Sequence, residues 1–315
     1  MIKNYLVFAL LVAMTAGGVW LLTRAWRARR FGARVAGTFG AGVLTLLCGA
    51  ASILGFIGLR WLYGVVPAAV VDTAIAATPE RVARGDYLVH IACVGCHGMN
   101  QQLPLAGGVD IAEDIPVPIG KLVSANIAPD GILKDRSDGE LFRALRHGVG
   151  KSGRRLPLMG VLPYRHLSDD DIAAIITYVR QAPPSNLAKT GGDDLNILAA
   201  ILFGAGAFPK ASPPEVKPIA APARGTTAEY GRYVATFGDC RGCHGPEMLG
   251  TAPSLAGPGA PNPRPSVKTW SLDQFIRTMR SGVRPNGQEL KMPWRNAAAM
   301  DDHDLAALYA YLSQP

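Results

Sequence analysis

Cys93-Val94-Gly95-Cys96-His97 and Cys240-Arg241-Gly242-Cys243-His244 decide the reading of this 315-residue chain, and a glycine follows each pentapeptide. C-x-x-C-H is a haem attachment motif: on one helical turn, two thiols can each reach a vinyl group of one porphyrin while the next imidazole points at its iron. Cys93, Cys96, Cys240 and Cys243 are therefore expected to bind two haem c groups covalently, with His97 and His244 as proximal iron ligands. Two rival readings fail on context. A four-cysteine zinc site brings its pairs within about twenty residues of each other, whereas these pairs lie 147 positions apart. A thioredoxin-like pair needs a βαβ setting and gains nothing from the histidine. Of five cysteines only Cys48 is left over, in the uncharged run Leu46-Leu47-Cys48-Gly49-Ala50, where it reads as a small apolar residue. The lack of a structural disulfide does not place the chain in the cytosol, because haem c is attached on the outer side of the bacterial membrane.

Residues 5–22 and 35–59 carry no charge. At 1.5 Å per residue they span about 27 and 37 Å against roughly 30 Å of hydrocarbon, so both can cross. Arg24, Arg27, Arg29, Arg30 and Arg34 lie between them with no acid. The positive-inside rule puts that loop in the cytoplasm and both termini in the periplasm. Trp20, Trp26, Trp61 and Tyr63 fall near the expected interfaces. If the first segment were instead a cleaved signal peptide, the second would carry both haem motifs into the cytoplasm, where haem c is not attached; a retained helical hairpin is the expectation. The glycines of the second segment, among them Gly49, Gly55 and Gly58, allow close packing of helices.

The net charge of +8 belongs to this anchor. Residues 1–72 hold seven Lys/Arg and one acid, residues 73–182 twelve of each, residues 183–224 four and three, and residues 225–315 nine and eight. Basicity here is a topology signal, and nothing remains to support nucleic-acid binding.

The remainder is an internal repeat. Gly85-Asp86-Tyr87 precedes the first haem motif as Gly231-Arg232-Tyr233 precedes the second. Downstream, Arg143-Ala144-Leu145-Arg146-His147-Gly148-Val149 matches Arg277-Thr278-Met279-Arg280-Ser281-Gly282-Val283. Each repeat then offers a methionine, Met159 or Met292, and nine residues later Ser168 or Asp301 opens a closing helix, with Asp171 or Asp304 as its capping-box partner. Helix, haem motif, loops, helix, glycine turn, methionine, helix is the order of a class I cytochrome c, in which the methionine is the sixth ligand and its soft thioether raises the potential. The expected fold is all-α: a transmembrane hairpin (1–72), a first class I cytochrome c domain (73–182), a linker (183–224) and a second such domain (225–315). Met159 and Met292 are the expected distal iron ligands; His147 and His166 flank Met159 as competitors, while Met99, Met248, Met279 and Met300 are less suitably placed. Pro183, Pro184, Pro209, Pro213, Pro214, Pro218 and Pro222 punctuate the linker, which encloses an apolar run at 195–208. That run is too short to span a bilayer and reads either as a helix packed between the haem domains or as a segment touching the membrane.

Over roughly residues 80–315 the chain resembles the membrane-associated multihaem cytochromes c that accept electrons from periplasmic alcohol, gluconate and aldehyde dehydrogenases. The resemblance rests on Ser124-Ala125-Asn126-Ile127-Ala128-Pro129-Asp130, Leu141-Phe142-Arg143-Ala144-Leu145-Arg146-His147-Gly148-Val149, Arg165-His166-Leu167-Ser168-Asp169-Asp170-Asp171 and Met292-Pro293-Trp294. It implies a periplasmic electron carrier with His and Met axial ligands at the positions already named.

These readings converge on a dihaem cytochrome c of the bacterial inner membrane that passes single electrons within a respiratory or photosynthetic complex. Its expected partners are the lipid bilayer, other subunits of that complex, and a soluble cytochrome or periplasmic dehydrogenase; no independent catalysis is expected. A dihaem peroxidase, which needs a displaceable sixth ligand, and a haem-based redox or gas sensor are the alternatives, and a methionine in each repeat and the lack of a signalling domain weigh against them.

Overall fold

The structure, a computed structural model, describes residues 1–71, 74–187, 191–211, 214, 217–295 and 297–314. Pro213 of the linker lies outside the described residues. The chain is mostly helical, 53% of it in helices, and begins with two long apolar helices, α1 (Ile2–Trp26) and α2 (Phe31–Tyr63). Both outrun the uncharged segments, because a helix in an apolar medium must satisfy its backbone internally while Lys3, Arg24 and Arg60 can extend from its ends to water. They pack as an antiparallel pair through small residues, Gly37 against Ala25 and Gly49 against Thr15. Cys48 is buried in α2, as its apolar surroundings implied.

The first repeat contains α3 (Pro79–Ala92), α4 (Val94–His97), β1 (Gly120–Val123), α5 (Asp138–His147) and α6 (Asp169–Gln181). The segment after it forms β2 (Gly192–Leu195) and α7 (Ile197–Gly204). The second repeat contains α8 (Ala228–Phe237), α9 (Cys240–His244), α10 (Arg264–Val267), α11 (Leu272–Ser281) and α12 (Asp302–Leu312). In each repeat the leading helix crosses the closing one, α3 on α6 and α8 on α12. The reason is one glycine in each leading helix. A Cβ on Gly85 would overlap the carbonyl oxygen of Ala174, and one on Gly231 would overlap that of Ala307, so only glycine lets these backbones approach so closely.

The closing helices start where the residue pattern put them, with Ser168 Oγ accepting from Asp171 N (3.1 Å) and Asp301 Oδ1 accepting from Asp304 N (2.7 Å). The reciprocal half of the expected capping box does not form there. The carboxyls of Asp171 and Asp304 turn away to Arg84, Tyr233, Tyr87 and Tyr230 instead. Complete capping boxes occur on α5, from Ser137 and Glu140, and on α11, from Ser271 and Gln274, where the third residue has the longer side chain needed to reach back.

Two features go beyond the sequence expectation, and the second decides between the alternatives it left open for the run 195–208. The mostly helical chain also holds a two-stranded sheet that was not expected: β1 pairs antiparallel with β2, Gly120 opposite Leu195 and Val123 opposite Gly192, tying a loop of the first repeat to the linker. The apolar run 195–208 does not lie between the repeats. Its helix α7 packs on α2, where a Cβ on Gly58 would overlap the Ala200 carbonyl, and its Phe203 stacks on Trp61 with centroids 4.6 Å apart. Leu59, Leu62, Ile119, Leu195, Phe203 and Phe208 bury one another at this junction. A separate, larger core runs unbroken through both repeats, including Leu88, Ile91, Leu167 and Ile172 of the first and Val234, Phe237, Met300 and Leu305 of the second.

Candidate functional site

Each C-x-x-C-H motif forms one helical turn. In the first, His97 N donates to Cys93 O at 2.9 Å. In the second, Asp239 precedes Cys240 with left-handed backbone, φ 56°. Burial pushes the thiols of all four cysteines up, Cys93 and Cys240 to about 12.

The two histidines share one second partner type. His97 Nδ1 donates to Ala125 O at 2.8 Å and His244 Nδ1 donates to Pro261 O at 2.7 Å. A carbonyl only accepts, so the proton sits on Nδ1 and the Nε2 lone pair faces outward as a ligand. Burial also holds the His97 imidazole below its ordinary value, opposed by the bond to Ala125, which keeps it in the neutral, ligating form. Two thiols and one oriented imidazole per motif are a donor set that fits a covalently attached haem.

On the methionine side the repeats match again. Leu156 N donates to Gly148 O and Leu290 N to Gly282 O, both at 2.7 Å, closing the same turn just before Met159 and Met292. Both methionines are half-buried at the edge of the shared core. The other thioethers are placed differently: Met248, Met279 and Met300 are buried core residues, and Met99 is exposed. His166 is exposed and His147 half-buried at the end of α5.

Three features escaped the sequence reading. Arg146 donates to the carbonyls of Arg165 (2.5 Å) and Leu167 (2.7 Å) and to Asp169 Oδ1 (2.5 Å), and its repeat equivalent Arg280 binds Ala298 O and Asp302 Oδ1 (2.7 Å). Each arginine pins the turn between the methionine and the closing helix, and its duplication was the available signal. Asp239 is the second. Its Oδ1 is sealed from solvent without a hydrogen-bond partner, its carboxyl interacts with Tyr164 of the other repeat, and burial raises it to about 7. The third is the group Asp301, His303 and Asp304, whose ligand atoms lie within 4.8 Å of one another. Arg224 pairs with both of those carboxyls, so the group is accounted for as an ion-pair cluster.

Comparison with known proteins agrees with this geometry. Residues 82–183 match the cytochrome c family, and residues 227–312 match cytochrome c oxidase, cbb3-type, subunit III. The chain carries cytochrome c domains, each matched region contains one C-x-x-C-H motif, and two such domains imply two haem c groups.

Its relatives are cytochrome c subunits of dehydrogenases. The chain is 28% identical over 277 residues to the cytochrome c subunit of an alcohol dehydrogenase (quinone) of Gluconacetobacter polyoxogenes, covering 76% of this chain and 58% of that protein. The corresponding subunit of Gluconobacter oxydans is 30% identical over 239 residues, 65% and 48% of the two chains. The gluconate 2-dehydrogenase cytochrome c subunit of Pantoea cypripedii is 34% identical over 94 residues, 26% and 21%. The chain therefore spans about half the length of the alcohol dehydrogenase subunits it matches.

Proposed function

We propose that this chain is a membrane-anchored, periplasmic dihaem cytochrome c, built as two tandem class I domains, that passes single electrons as a subunit of a membrane redox complex. One observation carries the reading: two C-x-x-C-H turns, 147 residues apart, each present a histidine whose Nδ1 is fixed on a backbone carbonyl. In this reading Cys93 and Cys96 hold the first haem and Cys240 and Cys243 the second, with His97 and His244 as proximal ligands and Met159 and Met292 as distal ones. The haem supplies the one-electron couple. The protein's part is to orient the imidazoles, present a soft thioether that favours ferrous iron, and exclude water with the shared core, each of which sets the potential.

The kinship with dehydrogenase cytochrome subunits supports a periplasmic dehydrogenase as the donor, and the likeness of residues 227–312 to an oxidase subunit supports delivery toward an oxidase. The arginine loop between α1 and α2 supports a cytoplasmic turn with both termini outside. The test is haem stoichiometry. The intact chain should bind two haems covalently, C93A/C96A and C240A/C243A one each, and the quadruple variant none; two haems retained in either double variant would refute the assignment.

A further inference from the structure

Residues 183–224 look like a tether. Forty-two residues of flexible linker have a root-mean-square reach of about 35 Å, so two cytochrome domains joined by that linker alone would wander relative to each other. The structure shows something else. Tyr87 lies in α3, six residues before Cys93 of its own repeat, yet its hydroxyl donates to Asp304 Oδ2 (2.8 Å) and accepts from Asp301 N (3.0 Å) at the start of α12 in the other repeat. Tyr233, its repeat equivalent, lies seven residues before Cys240 and does the same in reverse, donating to Asp171 Oδ2 (2.6 Å) and accepting from Ser168 N (2.9 Å) at the start of α6. The two sets of bonds are reciprocal.

Both acceptors are buried, Asp171 at 6% and Asp304 at 0% exposure. A carboxylate so enclosed needs donors, and each one has them from both repeats. Asp171 also receives the fork of Arg84 through two bonds of 2.8 Å, and Asp304 receives Tyr230 at 3.1 Å. Arg84 in turn lies over the rings of Tyr87 and Phe237, at 5.6 and 5.1 Å, and so joins the repeats a second time. The linker is laid down as well, since Asp169 N donates to Ile219 O at 2.8 Å.

We propose that Tyr87 and Tyr233 are positioning residues for electron exchange between the two haem sites, each tying the helix that leads into its own attachment motif to the closing helix of the other repeat. The inference rests on the reading that both motifs carry haem. Its consequence is that the sites move as one body. Electron tunnelling falls off exponentially with separation, so a fixed gap makes exchange a property of the chain rather than of linker diffusion.

The test uses the full chain with its haems, in detergent. Haem stoichiometry comes first, then the distance distribution between the two ferric haems by pulsed electron paramagnetic resonance, then interhaem electron equilibration after flash reduction. Native protein should give one narrow distance. The double variant Y87F/Y233F keeps both rings and should keep both haem spectra, while its distance distribution broadens and its equilibration slows. Y178F is the control, because Tyr178 bonds Asp86 within the first repeat, and it should leave distance and rate unchanged. Fewer than two haems per chain would sink the functional reading and this inference together. Two haems with a broad native distribution, or with a double variant indistinguishable from native, would overturn the positioning role alone. If Y178F broadens the distribution as much as the double variant, general loosening rather than the cross-repeat bonds is responsible and the inference also fails.

Discussion

Replacing Asp239 by Asn should stabilise this protein, and progressively more so as pH rises. Asp239 opens the turn that carries Cys240, with one carboxylate oxygen sealed and unpartnered; the carboxyl interacts with the side chain of Tyr164, whose hydroxyl donates to Ala92 O (2.8 Å). Burial is the dominant cause of its displacement from 3.8 to about 7, and the Tyr164 interaction opposes it. Among the described residues no cation offsets this burial. The folded chain therefore binds the Asp239 proton more tightly than the unfolded chain does. Below about pH 4 both states are protonated and the residue contributes nothing; between pH 4 and 7 only the unfolded chain ionises freely, so folding stability falls as pH climbs. At about 1.4 kcal/mol for each pH unit of displacement, the ceiling on this loss is about 4 kcal/mol, and partial exposure of the residue lowers it to roughly 2–4 kcal/mol.

D239N removes the ionisation and nearly preserves the shape. The assay is denaturant unfolding of the haem-loaded protein in detergent at pH 5, 6, 7 and 8, comparing native and D239N at each pH so that other titrating groups cancel. The variant's relative stability should rise by about 1–3 kcal/mol from pH 5 to pH 8, the part of the loss that falls above pH 5, with most of the change complete by pH 7. A difference that is flat across this range, or one that grows toward acid pH, would refute the argument. D239N should also raise the potentials of both haems at pH 8, because the carboxyl lies within electrostatic reach of Cys96 of one repeat and of Cys240 and Cys243 of the other.

M159A and M292A should each abolish one thioether-to-iron absorption band and lower the potential of one haem, and an unchanged first-haem spectrum in M159A would hand that role to His147 or His166. G231A places a methyl against the Ala307 carbonyl at the crossing of α8 and α12; a loss of about 1–3 kcal/mol in denaturant unfolding is expected from such overpacking, and an unaltered midpoint would contradict the close approach. A reporter active only in the cytoplasm should work when fused after Arg30, and one active only in the periplasm when fused near the carboxyl end; the reverse pattern would overturn the hairpin orientation.

What could be read from the residues alone was whatever repeats or is punctuated. The paired motifs, the glycine-tyrosine match ahead of each, the caps at Ser168 and Asp301 and the two uncharged runs all recur in the structure as helices where they were expected. What could not be read was which surfaces meet. Gly192-Asp193-Asp194-Leu195 has none of the β-branched or aromatic alternation that marks a strand, and it becomes β2 only because β1 lies beside it. The run 195–208 announces an apolar helix without naming its neighbour, and it is the bare surface at Gly55 and Gly58 of α2 that lets Ala200 dock there. Tyr87 and Tyr233 mark the repeat register plainly, yet nothing local says that each hydroxyl crosses to the opposite repeat. Asp239 is one of eight acids in its stretch, and only its enclosure, a tertiary property, sets it apart.

The anchor is joined to the haem repeats as firmly as the repeats are joined to each other. Asn4 of α1 donates to Leu195 O (2.7 Å) and to the Tyr63 hydroxyl (2.8 Å), so the start of the chain, the end of α2 and the linker meet at one point. Arg155 of the first repeat donates to Trp61 O (3.1 Å) and lies over the Trp61 ring, while α7 wedges against α2 beneath it. Val66 N donates to Gly153 O at 2.8 Å, so the chain leaving α2 runs directly onto the first repeat rather than through a slack hinge. A shuttle that commutes between donor and acceptor needs slack in its tether and gains encounter rate from a charged face. Here each haem repeat carries at most one net charge, and among the described residues the first repeat and the linker are hydrogen-bonded to the apolar helices. Fixed height, fixed orientation and a fixed pair of haem sites are instead what a subunit of a standing complex requires, where the partners are already in place and only the electron has to move.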